Sequence, residues 1–66
     1  MTVLVNGQNQ TLPPDTTLAA LVAAHDLNPR HVAVEVNEQL VPRRHYDSAV
    51  LREGDRIEIV TLVGGG

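Results

Sequence analysis

The sequence predicts an α+β domain, a mixed sheet of roughly four to five strands with one main helix packed across it. Three observations carry that expectation. Alternating, β-branched runs stand near both ends and in the middle of the chain. A single segment between the first and middle runs has helical spacing, and two-residue turn signals close the early and middle runs into hairpins. The 66 residues make one domain, 1–66, ending in a tail at 64–66. A chain this small buries only roughly 60% of its unfolded surface. It has little margin against conformational entropy and no room for a cleft that encloses a substrate.

Thr2 to Asn6 reads as the first strand and ends in Asn6-Gly7, a pair suited to the type I′ turn, whose two central residues need positive φ. Gln8 to Leu12 returns as a polar strand at a sheet edge, and Pro13-Pro14 stops it because proline has no N–H for a ladder. Asp15 or Thr16 is the expected N-cap of the helix, without the acidic or amide partner that completes a capping box. Leu18, Leu21, Val22 and His25 share one helical face, while Ala19, Ala20, Ala23 and Ala24 add propensity without bulk. Asn28-Pro29 ends a helix of about two and a half turns, marginal unless it lies on a sheet.

Ala33 to Val36 is the third strand, with Val34 and Val36 on one face. Asn37-Glu38 forms a second two-residue turn, in which glutamate at positive φ costs on the order of 1 kcal/mol. Gln39 to Val41 pairs back, and Pro42 puts it at an edge. Arg43 to Arg52 is a loop with a helical turn, holding Tyr46 and anchored by Val50 and Leu51; Glu53-Gly54-Asp55 is a turn. Asp47, Glu53 and Asp55 are read as turn formers and caps. Because a helix connects the first hairpin to the later strands, the first and last strands are expected side by side and parallel at the centre.

Arg56 to Val63 is the last strand. Ile57 and Ile59 face the core; the same alternation turns Thr61 and Val63 inward and Val60 and Leu62 outward. Leu4 points outward by the same rule. If the first and last strands are neighbours, Leu4, Val60 and Leu62 form one apolar surface, a docking site unless a loop covers it. The strand runs straight into Gly64-Gly65-Gly66. Three residues without Cβ make a thin, flexible arm, able to enter a narrow channel, with the α-carboxylate of Gly66 as its only chemical group. The plain alternative is a frayed terminus or a cloning scar.

Composition excludes several function classes. With no cysteine there are neither disulfides nor thiolate metal sites, and His25, His31 and His45 lack ligand spacing, so no metal is expected. The net charge of −3 and scattered arginines argue against nucleic acid as a partner. Apolar runs fall short of a membrane span and the N-terminus does not read as a signal peptide, so no membrane is expected and a cytoplasmic location is. Ser48 has no His/Asp arrangement behind it, and Arg43-Arg44 reads as a solvated turn.

The Val3-Leu4-Val5-Asn6-Gly7 hairpin, Val36-Asn37 leading to Val41-Pro42-Arg43, Gly54-Asp55 before the last strand, and the terminal Gly65-Gly66 together resemble the ubiquitin-like β-grasp proteins, and among them most closely the ThiS family of sulfur carriers in thiamine biosynthesis. The resemblance spans the whole chain; Glu38, where relatives often have glycine, and the third glycine, Gly64, depart from it. It implies that Gly66 is the modified residue, adenylated with ATP by a ThiF-like adenylyltransferase and then converted to a thiocarboxylate with sulfur from a cysteine desulfurase. A ThiG-like thiazole synthase then takes the sulfur. The chain is thereby a protein co-substrate with no bound cofactor, not an enzyme. Gly64 and Gly65 are the slender approach, and Leu4, Val60 and Leu62 the partner-binding surface. All five basic side chains are arginine, and the absence of lysine and cysteine leaves no side-chain amine or thiol to capture an activated acyl group. Two other members of the fold share such an ending: the small subunit of molybdopterin synthase and ubiquitin-like modifiers joined to lysines.

Overall fold

The computed structural model describes residues 1–62. Five strands, β1 (Thr2–Val5), β2 (Gln8–Thr11), β3 (Val32–Val36), β4 (Gln39–Val41) and β5 (Arg56–Thr61), form one mixed sheet in the order β2-β1-β5-β3-β4, with one helix, α1 (Leu18–Ala24). This is the ubiquitin-like β-grasp arrangement, and β5 lies parallel to β1 at its centre, as the helical connection requires. β2 and β4 are at the edges, where their polar side chains, and the prolines that follow each of them, are tolerated.

Alternation along the strands builds the core. Val3, Val5, Val32, Val34, Ile57 and Ile59 all point to one side of the sheet and are buried. Leu18, Leu21 and Val22 of α1 close over them, joined by Leu12, Tyr46 and Leu51. Thr61, expected inward, pairs with Val32 but is exposed at the sheet's end. Val50, expected as an anchor, is 47% exposed; Leu51 and Tyr46 hold the loop instead. Burial raises the Tyr46 phenol above its ordinary value of 10.0, with Arg43 acting in the other direction.

The helix is shorter than its sequence pattern at both ends. Its N-cap is Thr17, not Asp15 or Thr16: the Thr17 hydroxyl accepts from Ala20 N–H at 3.2 Å. Asp15 is used up in a left-handed turn (φ 65) and the Thr16 hydroxyl donates to the Pro13 carbonyl. Leu51 N–H donates to Thr16 O and Thr17 bridges Val50, which fixes where the helix can begin. At the other end His25 is the C-cap, exposed and bonded through Nε2 to Gln10 Oε1 at 3.0 Å. Asp26 is left-handed (φ 57); its N–H reaches Ala23 O and Leu27 N–H reaches Val22 O. That is the Schellman arrangement, with aspartate where glycine is usual. A 3₁₀ turn at Pro29–His31 then leads into β3, begun at Val32 rather than Ala33.

Both hairpins use left-handed pairs, Asn6 (φ 51) with Gly7 (φ 82) and Asn37 (φ 52) with Glu38 (φ 69). Glu38 is held there in part by an ion pair with Arg56, 2.8 Å long but 62% and 78% exposed at its two ends, so worth little. Glu38→Gly relieves a strain of about 1–2 kcal/mol. Against that stand the extra unfolded-state freedom of glycine, about 0.4–1 kcal/mol, and the ion pair. The expected result in urea unfolding is a gain of about 0.5 kcal/mol. A net loss means the Arg56 contact outweighs the strain.

Candidate functional site

The site of interest is the exit of β5 and the sheet face around it. β5 is gripped from both sides: β1 pairs with it at Leu4↔Arg56 and Val5↔Ile57, and β3 pairs with it from Val36↔Ile57 to Val32↔Thr61. Beyond the end of β1 the Asn6 carboxamide takes over. Its Nδ2 donates to Ile59 O at 3.2 Å and its Oδ1 accepts from Ile59 N–H at 2.8 Å, so a side chain continues the ladder. Leu62 N–H donates to His31 O at 2.8 Å. The backbone is therefore secured up to four residues before Gly66. Four residues span at most about 14 Å, which bounds how far the Gly66 carboxylate can stand from the Leu62–His31 contact. Val63, Gly64, Gly65 and Gly66 lie outside the described residues, so the inward placement expected of Val63 and the tail expected at 64–66 do as well.

Asn37 works as Asn6 does, at the other end of β5. Its Oδ1 accepts from Arg56 N–H at 3.0 Å and its Nδ2 donates to Asp55 Oδ1 at 3.0 Å, while Asp55 Oδ2 accepts from Arg52 N–H. Glu53 Oε1 accepts from Thr2 N–H. These contacts fasten the loop to the start of β1 and to the β3–β4 turn, where β5 begins.

On the outer face, Val60 and Leu62 are 58% and 52% exposed, uncovered by any described loop, and Val60 stands opposite Ala33 of β3. Leu4 shares the face but not the patch. It is half-buried beside Arg56, four residues or about 13 Å down β5 from Val60. Glu58 falls between. The single surface expected of the three residues is thus two: an apolar corner of Val60, Leu62 and Ala33 at the strand's exit, and a separate Leu4. Leu40, 68% exposed, stands opposite Glu35 on β4.

The remaining candidates do not converge. Ser48 Oγ donates to the His45 carbonyl, a turn contact and not a catalytic one. Among the described residues no three His, Cys, Asp or Glu gather as they would to hold a metal ion, and no helix is long and apolar enough to cross a membrane. Sequence reasoning missed the turn at Pro29–His31, whose carbonyl is the last anchor of the β5 exit. Its signal was present: Asn28 Oδ1 accepts from Arg30 N–H at 2.9 Å, with proline at the first position of the turn.

A family model, the ThiS family, matches residues 3–66. The chain is 36% identical over 63 residues to the sulfur carrier protein ThiS of Bacillus subtilis, covering 94% of this chain and 96% of that protein. It is 35% identical over 66 residues to a thiazole synthase of Paramagnetospirillum magneticum, of which it spans only 20%. The crystal structure of the thiamine biosynthesis protein ThiS of Geobacter metallireducens superposes with a TM-score of 0.85, at 28% identity and full coverage of both chains. The described sheet order, the single helix across it and a match running through the terminal glycines agree: the chain belongs to the ThiS family.

Proposed function

We propose that this chain is a sulfur carrier that delivers sulfur to thiazole formation in thiamine biosynthesis, with the α-carboxylate of Gly66 as the carrying group. A carboxylate resists nucleophilic attack because the incoming electrons pile onto a group already negative. One Gly66 oxygen therefore bonds to the α-phosphorus of ATP on a ThiF-like adenylyltransferase, and pyrophosphate leaves. The terminal sulfur of a persulfide supplied through a cysteine desulfurase then attacks the carbonyl carbon and displaces AMP, and a thiol reductant cleaves the resulting acyl disulfide, leaving a thiocarboxylate. The thiazole synthase is the acceptor of that sulfur. The protein supplies no catalytic group in these steps; it presents the acid, and ATP belongs to the partner.

The observation that carries this reading is the grip on β5. A central strand held by two neighbours, by Asn6 and by the His31 carbonyl leads directly to three glycines within a segment matched by the ThiS family model. Thiazole synthases that contain a segment of this kind support the choice of acceptor over molybdopterin synthesis or lysine modification. Val60 and Leu62, with Leu4 at a distance, are the surface offered to the partners.

Incubating the chain with ATP, sulfide and a ThiF-like enzyme is expected to raise its intact mass by the exchange of one oxygen for sulfur. An unchanged mass, with the same enzyme active on another ThiS protein, defeats the proposal.

A further inference from the structure

Asn6 is both the first residue of the hairpin turn and the last rung between β1 and β5. Both ends of its carboxamide are engaged by Ile59, fifty-three positions away in the chain. No other asparagine among the described residues makes that two-ended contact with one peptide: Asn37 divides its bonds between Arg56 and Asp55, and Asn28 accepts from Arg30.

Asn-Gly is also the dipeptide whose backbone amide most readily attacks the side chain before it, because glycine has no Cβ to obstruct the approach. Of Asn6, Asn9, Asn28 and Asn37, only Asn6 precedes glycine, and Asn28 precedes proline, which has no N–H. Gly7 is exposed, and a Cβ built on it would meet nothing within 4 Å, so water and base have free access. We propose that Asn6-Gly7 is a site of succinimide-mediated deamidation, restrained by the Asn6–Ile59 pairing and released when the end of β1 opens from β5.

The Gly7 backbone nitrogen gives its proton to water and bonds to Asn6 Cγ. The Cγ–Nδ2 bond breaks, and the amide nitrogen leaves as ammonia after taking up a proton. Water then opens the ring at either carbonyl, giving aspartate or isoaspartate at position 6. No electrons are gained or lost. Ring closure needs Cγ to swing towards Gly7, and that breaks both bonds to Ile59 first. The rate in the folded protein therefore follows the fraction of time this junction is open.

Neither product restores the rung. A carboxylate only accepts, so it keeps the bond from Ile59 N–H but sets its second oxygen against the Ile59 carbonyl. Isoaspartate also lengthens the main chain by a methylene in the tightest part of the turn. Either change loosens β5, the strand that carries Val60 and Leu62 and leads to the glycines.

The test incubates the full chain at mildly alkaline pH, in buffer and in denaturing urea, and maps the products by peptide mass. Asn6 is expected to convert first in both, at least about tenfold more slowly in buffer. Conversion at equal rates, or first at Asn9 or Asn37, overturns the proposal. Asn6→Asp is expected to melt about 5 °C below the parent and to exchange the Ile59 amide faster. An unchanged melting point overturns the claimed link to β5. If that variant does not fold, the comparison of buffer with urea still decides, because it needs only the unaltered chain.

Discussion

Leu21→Ala is expected to cost about 3 kcal/mol and to lower the melting temperature by about 12–24 °C. Leu21 is fully buried, and it sits in a seven-residue helix that its own propensity cannot sustain. The helix persists because Leu18, Leu21 and Val22 lie in one cluster with Val3, Val34 and Ile57 of the sheet. Removing the middle member leaves a void in a cluster whose sheet side is all β-branched, with little rotamer freedom to fill it. Total stability for a domain of this length is on the order of 3–10 kcal/mol, so a single truncation takes a large share of it. Leu40→Ala is the control: that side chain is exposed, and the change is expected to stay within about 0.5 kcal/mol. Thermal unfolding followed by circular dichroism reads both. A Leu21→Ala protein melting within a few degrees of its parent would mean that the helix is not held by this cluster.

That core was legible in the sequence because its signal is local. Alternation in Val3-Leu4-Val5 and Ile57-Glu58-Ile59 fixes which face is buried wherever the strands end up, and the helical link between hairpin and later strands implies a parallel central pair. What failed to show were choices decided at a distance. Asp15, Thr16 and Thr17 are all capping types, and Asp15 is the best of them by type; the pairing of Thr16 and Thr17 with Leu51 and Val50 selects the third. Asp26 takes the left-handed cap that glycine would have announced. Val50 and Leu51 are adjacent and apolar, and nothing local says which one turns inward.

The candidate site divides in the same way. The outward alternation of Val60 and Leu62 is written in β5 itself. The separation of Leu4 from them depends on stagger between two parallel strands, with Leu4 opposite Arg56, and no local pattern encodes stagger. Asn6 and Asn37 were readable as turn residues, which they are. Their second use, supplying amide groups that lengthen the ladder along β5, needs the strand to be present before it can be seen.

Gly65→Ala is expected to leave folding untouched and to slow activation of Gly66 by about tenfold or more. Glycine has no side chain to contribute to the buried cluster, so a methyl group at position 65 removes nothing from it; the melting temperature should shift by no more than about 1 °C. The proposed chemistry is sensitive for a steric reason. The carboxylate must be delivered to the α-phosphorus of ATP inside another protein, on a reach of at most about 14 Å from the last anchor. A small misplacement of reacting atoms costs about a hundredfold in such reactions. A Cβ near the acid widens the chain where a narrow channel must admit it, and it removes backbone conformations that only glycine adopts freely. Pyrophosphate release with a ThiF-like enzyme measures the effect, and the variable to watch is turnover at saturating carrier. A loss confined to KM places the methyl group's influence on docking instead. A variant activated at the parental rate shows that the glycines are not selected for slenderness, and the grip on β5 then needs another explanation.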